Sequence, residues 1–185
     1  LGNPGSEFEG TRHNVGFEVV DRLAQGAGIS VKRRECGALT GRGRIGGAPV
    51  LLAKPLTFMN ASGEAVSALC KKTGVELEKL LVVLDDIDLP LGTLRLKPRG
   101  SSGGQKGLRS VEENLETREF ARLRVGVRGP HYSRRRDLSD YVLDRFSRTE
   151  RRKMDETIER AAEVVRAWLA TGIHEAMNRF NAAPE

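Results

Sequence analysis

Aromatic side chains are scarce in this chain, only 5% of its residues being Phe, Tyr or Trp. That scarcity argues against a platform on which many single-stranded bases stack. Two cysteines, Cys36 and Cys70, stand far apart without metal-ligand spacing. They read as small buried or half-buried residues of a reducing compartment, and the cytoplasm is the expected one. No apolar run approaches the ~20 residues of a membrane-spanning helix, so no membrane partner is expected. The charged-then-apolar opening of a secretory signal is missing too, which leaves the formal glycosylation sequon at Asn60-Ala61-Ser62 without meaning. Repeats, low-complexity tracts and Pro/Ser linkers are absent, so residues 1–185 are expected to form one domain with a sizeable core. The first residue is Leu1, set directly in a turn-like Leu-Gly-Asn-Pro-Gly5, and a short strand is expected ahead of it.

Two glycine-rich segments fail as nucleotide sites. Gly41-Arg-Gly-Arg-Ile-Gly46 has the letters of the dinucleotide fingerprint but is followed by Gly47, Ala48 and Pro49, so no helix N-terminus awaits a phosphate. Gly100-Ser-Ser-Gly-Gly-Gln-Lys106 approaches a P-loop, yet Gln105 replaces its second glycine and no Ser or Thr follows the lysine. His13, His131 and His174 share no metal-ligand spacing; neither a metal nor any other cofactor is expected.

What is present is positive charge: Lys and Arg number 31 against 25 Asp and Glu, a net charge of +6. Such a balance favours a polyanionic partner through phosphate contacts and counterion release. Apolar periodicity then places the elements. Residues 15–27 carry Phe17, Val20, Ala24 and Ala27 at helical spacing before Gly28. Residues 38–45 and 49–54 flank Gly46-Gly47 as a hairpin. Residues 62–72 form a helix stopped by Gly74, and residues 80–84 a buried strand with acidic residues at its C-terminal end. Strands over 92–97 and 122–128 alternate, and helices cover 106–115, 148–169 and 173–180. Interleaved helices and strands imply an α/β domain with a mixed, mostly parallel twisted sheet flanked by helices. Ligand sites in such sheets gather at the carboxyl ends of strands.

Three polar clusters remain that core packing does not explain. Asn3-Pro4-Gly5 is followed by Thr11-Arg12-His13-Asn14. Lys54-Pro-Leu-Thr-Phe-Met-Asn60-Ala-Ser-Gly63 also reads as a strand end plus a helix cap. Asp85-Asp86-Ile87-Asp88 reads either as a divalent-metal site or as a solvated turn.

Together with the Gly-rich segment 100–107, Arg122-Leu-Arg-Val-Gly126 and the closing Asn178-Arg-Phe-Asn181, these clusters resemble, in order and spacing, the bacterial-type peptidyl-tRNA hydrolases. The resemblance covers essentially the whole chain. It implies hydrolysis of the ester between a peptide and the terminal ribose of tRNA, without metal, recycling tRNA from aborted translation. It assigns His13 as the general base that activates water and Asp85 as its partner, roles that suit an imidazole titrating near neutrality beside a carboxylate. Asn3 and Asn60 match substrate contacts, each carboxamide offering both donor and acceptor. Phe58 and Met59 fit an apolar wall beside the peptide, Phe8 matches a first-loop aromatic substrate contact that is often tyrosine, and Arg95, Lys97 and Arg124 match positions that hold tRNA phosphate. A helical lid in the C-terminal third, rich in Arg134-Arg-Arg136, Arg148, Arg151, Arg152 and Lys153, is expected to follow the acceptor stem. The chain departs from the family where Gln105-Lys106 replaces the usual His-Asn pair, which leaves Lys106 as a substrate contact of altered chemistry. The departure opens an alternative, a non-catalytic, splicing-factor-like RNA binder. An esterase for small N-acylated amino esters is a further one. A monomer without an obligate protein partner is expected.

Overall fold

The structure, a computed structural model, describes residues 1–130, 132–133 and 137–181. Helix α1 (Val15–Ala27) buries Val15, Val19, Val20, Leu23 and Ala24, a stripe one notch away from the expected Phe17. It ends where Gly28 turns left-handed and donates its N–H to the Ala24 and Gln25 carbonyls. Strand β1 (Arg33–Glu35) escaped sequence analysis because three polar residues carry no periodicity. Strands β2 (Ala38–Ile45) and β3 (Ala48–Pro55) form the expected hairpin. Gly46 and Gly47 both have positive φ, 55° and 85°, as a two-residue turn between right-twisted strands requires.

Helix α2 (Ser62–Thr73) is capped by left-handed Gly74 and leads to strand β4 (Leu81–Pro90). The strand β5 (Leu94–Lys97), helix α3 (Lys106–Leu115) and strand β6 (Ala121–Arg128) follow. The chain closes with the short helix α4 (Leu138–Leu143), α5 (Arg148–Thr171) and α6 (Ile173–Phe180). The central sheet has the order β4-β6-β5, and β1-β2-β3 forms a second sheet. Helices cover both faces of the central sheet. Val83, Leu123 and Val125 pack with α1 and α5, while Val82 and Leu84 pack with Val66 of α2 and with Leu108 and Val111 of α3. The α/β class holds.

Three expectations need correction. The central sheet is mixed but not mostly parallel: only β4–β6 is a parallel ladder and the other three are antiparallel, β2 and β3 because a two-residue hairpin turn can join only antiparallel strands. Strand β4 does not stop before the acidic residues: it runs through Asp85, Asp86 and Asp88 to Pro90, with a register shift between Asp86 and Pro90. Strand β6 does not alternate between core and solvent, since seven of its eight residues are buried. Arg122 within it is 0% exposed. Its guanidinium donates to the carbonyls of Arg118, Phe120 and Gly100 and pairs with Glu112 at 3.4 Å, which offsets the cost of burying the charge.

Helices α2 and α3 meet closely: Gly63 N donates to Ser110 Oγ at 3.0 Å, and a Cβ at Gly63 would overlap the Ser110 carbonyl. Gly63→Ala is therefore expected to lower stability by about 1–3 kcal/mol through overpacking. Urea unfolding measures this, and an unchanged midpoint would refute the close approach.

Candidate active site

His13 and Asp85 lie 72 positions apart in sequence, yet His13 Nδ1 is 2.9 Å from Asp85 Oδ2. A 3-10 turn, Arg12–Asn14, runs straight into α1 and presents the imidazole, and β4 presents the carboxylate from inside the sheet. Asp85 is 2% exposed, so it is almost wholly enclosed. An ionised carboxylate only accepts hydrogen bonds, so the contact places the imidazole proton on Nδ1 and leaves the Nε2 lone pair as a base. Asp86 points elsewhere: it accepts from Arg124 Nη1 at 3.0 Å and from its own neighbour, Asp88 N, at 2.8 Å. These donors engage both carboxylates in roles other than metal ligation. Among the described residues no group of three or more His, Cys, Asp or Glu has the arrangement of a metal site.

Asn3 is locked beside this pair by three bonds. Its Oδ1 accepts from Met59 N at 2.7 Å, its N donates to Asn14 Oδ1 at 2.8 Å, and its carbonyl accepts from Asn14 Nδ2 at 2.9 Å. Its carboxamide oxygen is thus consumed by the fold, and Nδ2 is the group it can offer to a ligand. Asn60 sits on the 3-10 turn Met59–Ala61 and is exposed.

A cleft of about 400 Å³ gathers these groups. Asn3, Phe8, His13, Phe58, Met59, Asn60, Asp85 and Lys106 all line it, so the two expected catalytic residues and the six expected substrate contacts share one concavity. Phe58 is 64% exposed, an apolar side chain held in solvent at the rim. Lys106 opens α3 and forms no hydrogen bond or ion pair among the described residues. Sequence analysis missed the opposite wall, made by Leu138, Val142 and Leu143 of α4. Six residues are too short for a helical stripe to stand out, although Asp137 caps the helix by accepting from Ser139 N and Asp140 N.

The expected lid takes a different form. The long helix α5 is no lid, because Met154, Ile158, Ala161 and Val165 bind it into the core beside α1. The element over the cleft is α4, and Arg12 anchors its end. The Arg12 guanidinium donates to the Asp144 and Arg145 carbonyls at 3.2 and 2.9 Å, pairs with Glu150 at 2.9 Å and lies over the Tyr141 ring. The Arg134-Arg-Arg136 run falls outside the described residues.

The three expected phosphate contacts divide. Arg95 and Lys97 are exposed on β5, as the alternation predicts. Arg124 is buried instead, held by Asp86 and by the Ser101 carbonyl at 2.6 Å, so it fastens the Gly-rich segment rather than facing solvent. The register nevertheless puts Arg95 opposite Arg124 and Lys97 opposite Arg122. Like charges so placed repel. Asp86 and Glu112 neutralise the inner two, and Arg95 and Lys97 have no ion-pair partner among the described residues.

Gln105 is a second residue that sequence analysis underrated. It was legible only as a departure from the usual His-Asn pair, yet its Nε2 lies 2.9 Å from Asp85 Oδ1.

Comparison with known proteins gives the family. The family model described as "Peptidyl-tRNA hydrolase" matches residues 1–185. The peptidyl-tRNA hydrolase of Alkaliphilus oremlandii is 46% identical over 98% of this chain and 96% of its own length. A mitochondrial peptidyl-tRNA hydrolase from Oryza sativa is 44% identical over 99% of this chain and 73% of its own. The crystal structure of peptidyl-tRNA hydrolase from Acinetobacter baumannii superposes with a TM-score of 0.91 at 38% identity, covering 98% of this chain and 92% of that one. Matched over its whole length by the family model, and sharing both sequence and fold with these proteins, the chain belongs to the peptidyl-tRNA hydrolase family.

Proposed function

We propose that this protein hydrolyses the ester joining a peptide, or an N-blocked amino acid, to the terminal ribose of tRNA, with His13 as general base. The observation that carries this reading is the His13–Asp85 contact of 2.9 Å at the wall of an open cleft. Water held at His13 Nε2 loses a proton to the ring as its oxygen attacks the ester carbonyl carbon. Asp85 stabilises the imidazolium that forms. Negative charge moves to the carbonyl oxygen, where the Nδ2 donors of Asn3 and Asn60 stabilise it. The tetrahedral intermediate collapses, the carbon–ribose oxygen bond breaks, and the imidazolium returns its proton to the leaving hydroxyl. No covalent enzyme intermediate is needed, since an ester is more labile than an amide.

Apolar surface from Phe58, Met59, Leu138 and Leu143 receives the peptide, and Lys106 reaches a phosphate or the acceptor end. Outside the cleft, Arg95 and Lys97 hold backbone phosphate with little sequence reading. Their exposure and their lack of carboxylate partners among the described residues support this, because two neighbouring cations so placed favour a polyanion. The non-catalytic alternative draws no support from the altered Gly-rich segment, because Gln105 is bonded to Asp85. The protein is read as a monomer without an obligate protein partner. No helix among the described residues is long and apolar enough to cross a membrane. We place the protein in the cytoplasm by its bacterial relatives, although the rice relative bears a mitochondrial name.

N-acetylaminoacyl-tRNA should be cleaved while unacetylated aminoacyl-tRNA is spared; equal cleavage of a small N-acylated amino ester would make the basic surface incidental. His13→Ala should lower kcat by roughly 10²–10⁴-fold with little change in binding of uncleavable tRNA, and near-normal turnover in single-turnover assays would remove His13 from its role. Replacing Arg95 and Lys97 together by Ala should raise KM and flatten its salt dependence by about two charges' worth. A drop confined to kcat would contradict a phosphate role.

A further inference from the structure

A glutamine is an unusual helix cap. Asn, Asp, Ser and Thr dominate the N-cap position because their short side chains fold back onto the first turn. Gln105 nevertheless caps α3, its Oε1 accepting from Leu108 N at 2.7 Å. The extra methylene has a second consequence, for the amide nitrogen of the same side chain reaches Asp85 Oδ1 at 2.9 Å. The remaining amide hydrogen faces the Met59 sulfur at 3.4 Å.

These contacts fix the amide's orientation. A flipped amide would set an oxygen against the Asp85 carboxylate and an NH2 against the Leu108 N–H, two repulsive contacts in place of two bonds. The surroundings also restrict it. Gly107 lacks a side chain where a Cβ would overlap the Met59 sulfur and stand 3.1 Å from Gln105 Oε1, so α3 is drawn tightly onto Met59 with Gln105 between them. Asp85 therefore has one oxygen for each partner: Oδ1 takes Gln105 and Oδ2 takes His13. Without the first bond, a carboxylate that is 2% exposed has an oxygen without a donor, and rotation about its last torsion would let that oxygen compete for His13.

We propose that Gln105 is a positioning residue for hydrolysis: it holds the Asp85 carboxylate so that Oδ2 meets His13 Nδ1, and thereby aims Nε2 into the cleft. The proposal rests on the reading of His13 as base. Gln105 acts through Asp85 and needs no contact with substrate. Because a glutamine does not titrate, it keeps this donor at every working pH and adds no ionisation of its own to the site.

Two variants separate positioning from capping. Gln105→Asn keeps the better cap but falls one methylene short of Asp85. Its thermal midpoint should stay near that of the parent protein while kcat for N-acetylaminoacyl-tRNA falls by about tenfold or more at nearly unchanged KM. Gln105→Glu keeps the length and the acceptor for Leu108 N but turns the donor facing Asp85 into an acceptor. Its acid limb of kcat/KM should move to higher pH by about one unit, because added negative charge favours the imidazolium. Parental kcat and pH profile in both variants would reduce Gln105 to a cap and overturn the proposal, and so would a rise in KM alone, which marks a substrate contact. If Gln105→Asn unfolds, the pH profile of Gln105→Glu decides. His13→Ala run in parallel tells the two failures apart: turnover in that variant removes the base, whereas an inactive His13 variant beside parental Gln105 variants removes only the positioning role.

Discussion

Asp85 carries a negative charge into a place where 2% of its surface meets solvent, and the site is organised around making that tolerable. A buried carboxylate needs a donor for each oxygen. One comes from His13 and the other from Gln105, at 2.9 Å in each case. The first of these bonds also selects the imidazole tautomer, so the group that eases the burial of Asp85 is the one whose second nitrogen is proposed as the base. The strand β4 supplies the rigidity, because Asp85 sits within its ladder to β6 rather than on the loop beyond it.

The same economy runs through the surrounding polar groups. Asn14 binds both backbone groups of Asn3, Asn3 takes the Met59 N–H, and Arg12 ties the end of α4 back to the turn that carries His13. Three consecutive residues, Arg12, His13 and Asn14, thus bind the end of α4, the Asp85 carboxylate and the backbone of Asn3.

The basic surface follows a related logic. Of the four cations aligned across β5 and β6, Arg122 and Arg124 are spent inside the protein on carbonyls and carboxylates, and Arg95 and Lys97 are left outside. The family resemblance ranked Arg124 with the outer pair, and strand alternation could not separate them, because a period of two distinguishes faces of a sheet, not whether a face is covered. Here the Gly-rich segment and α3 cover it.

Local patterns determined much by themselves. Helices at Val15–Ala27 and Lys106–Leu115 and the Gly46-Gly47 hairpin were readable because capping, periodicity and turn chemistry act over a few residues. The likeness of His13, Asp85, Asn3 and Asn60 to a known family was readable as order and spacing along the chain. Tertiary structure alone decided that His13 and Asp85 touch, that α4 and not α5 walls the cleft, and that Gln105 serves the carboxylate. Each of these depends on side chains from separate elements meeting within about 3 Å. Such a distance is set by how whole helices and strands pack, and no window of the sequence contains it.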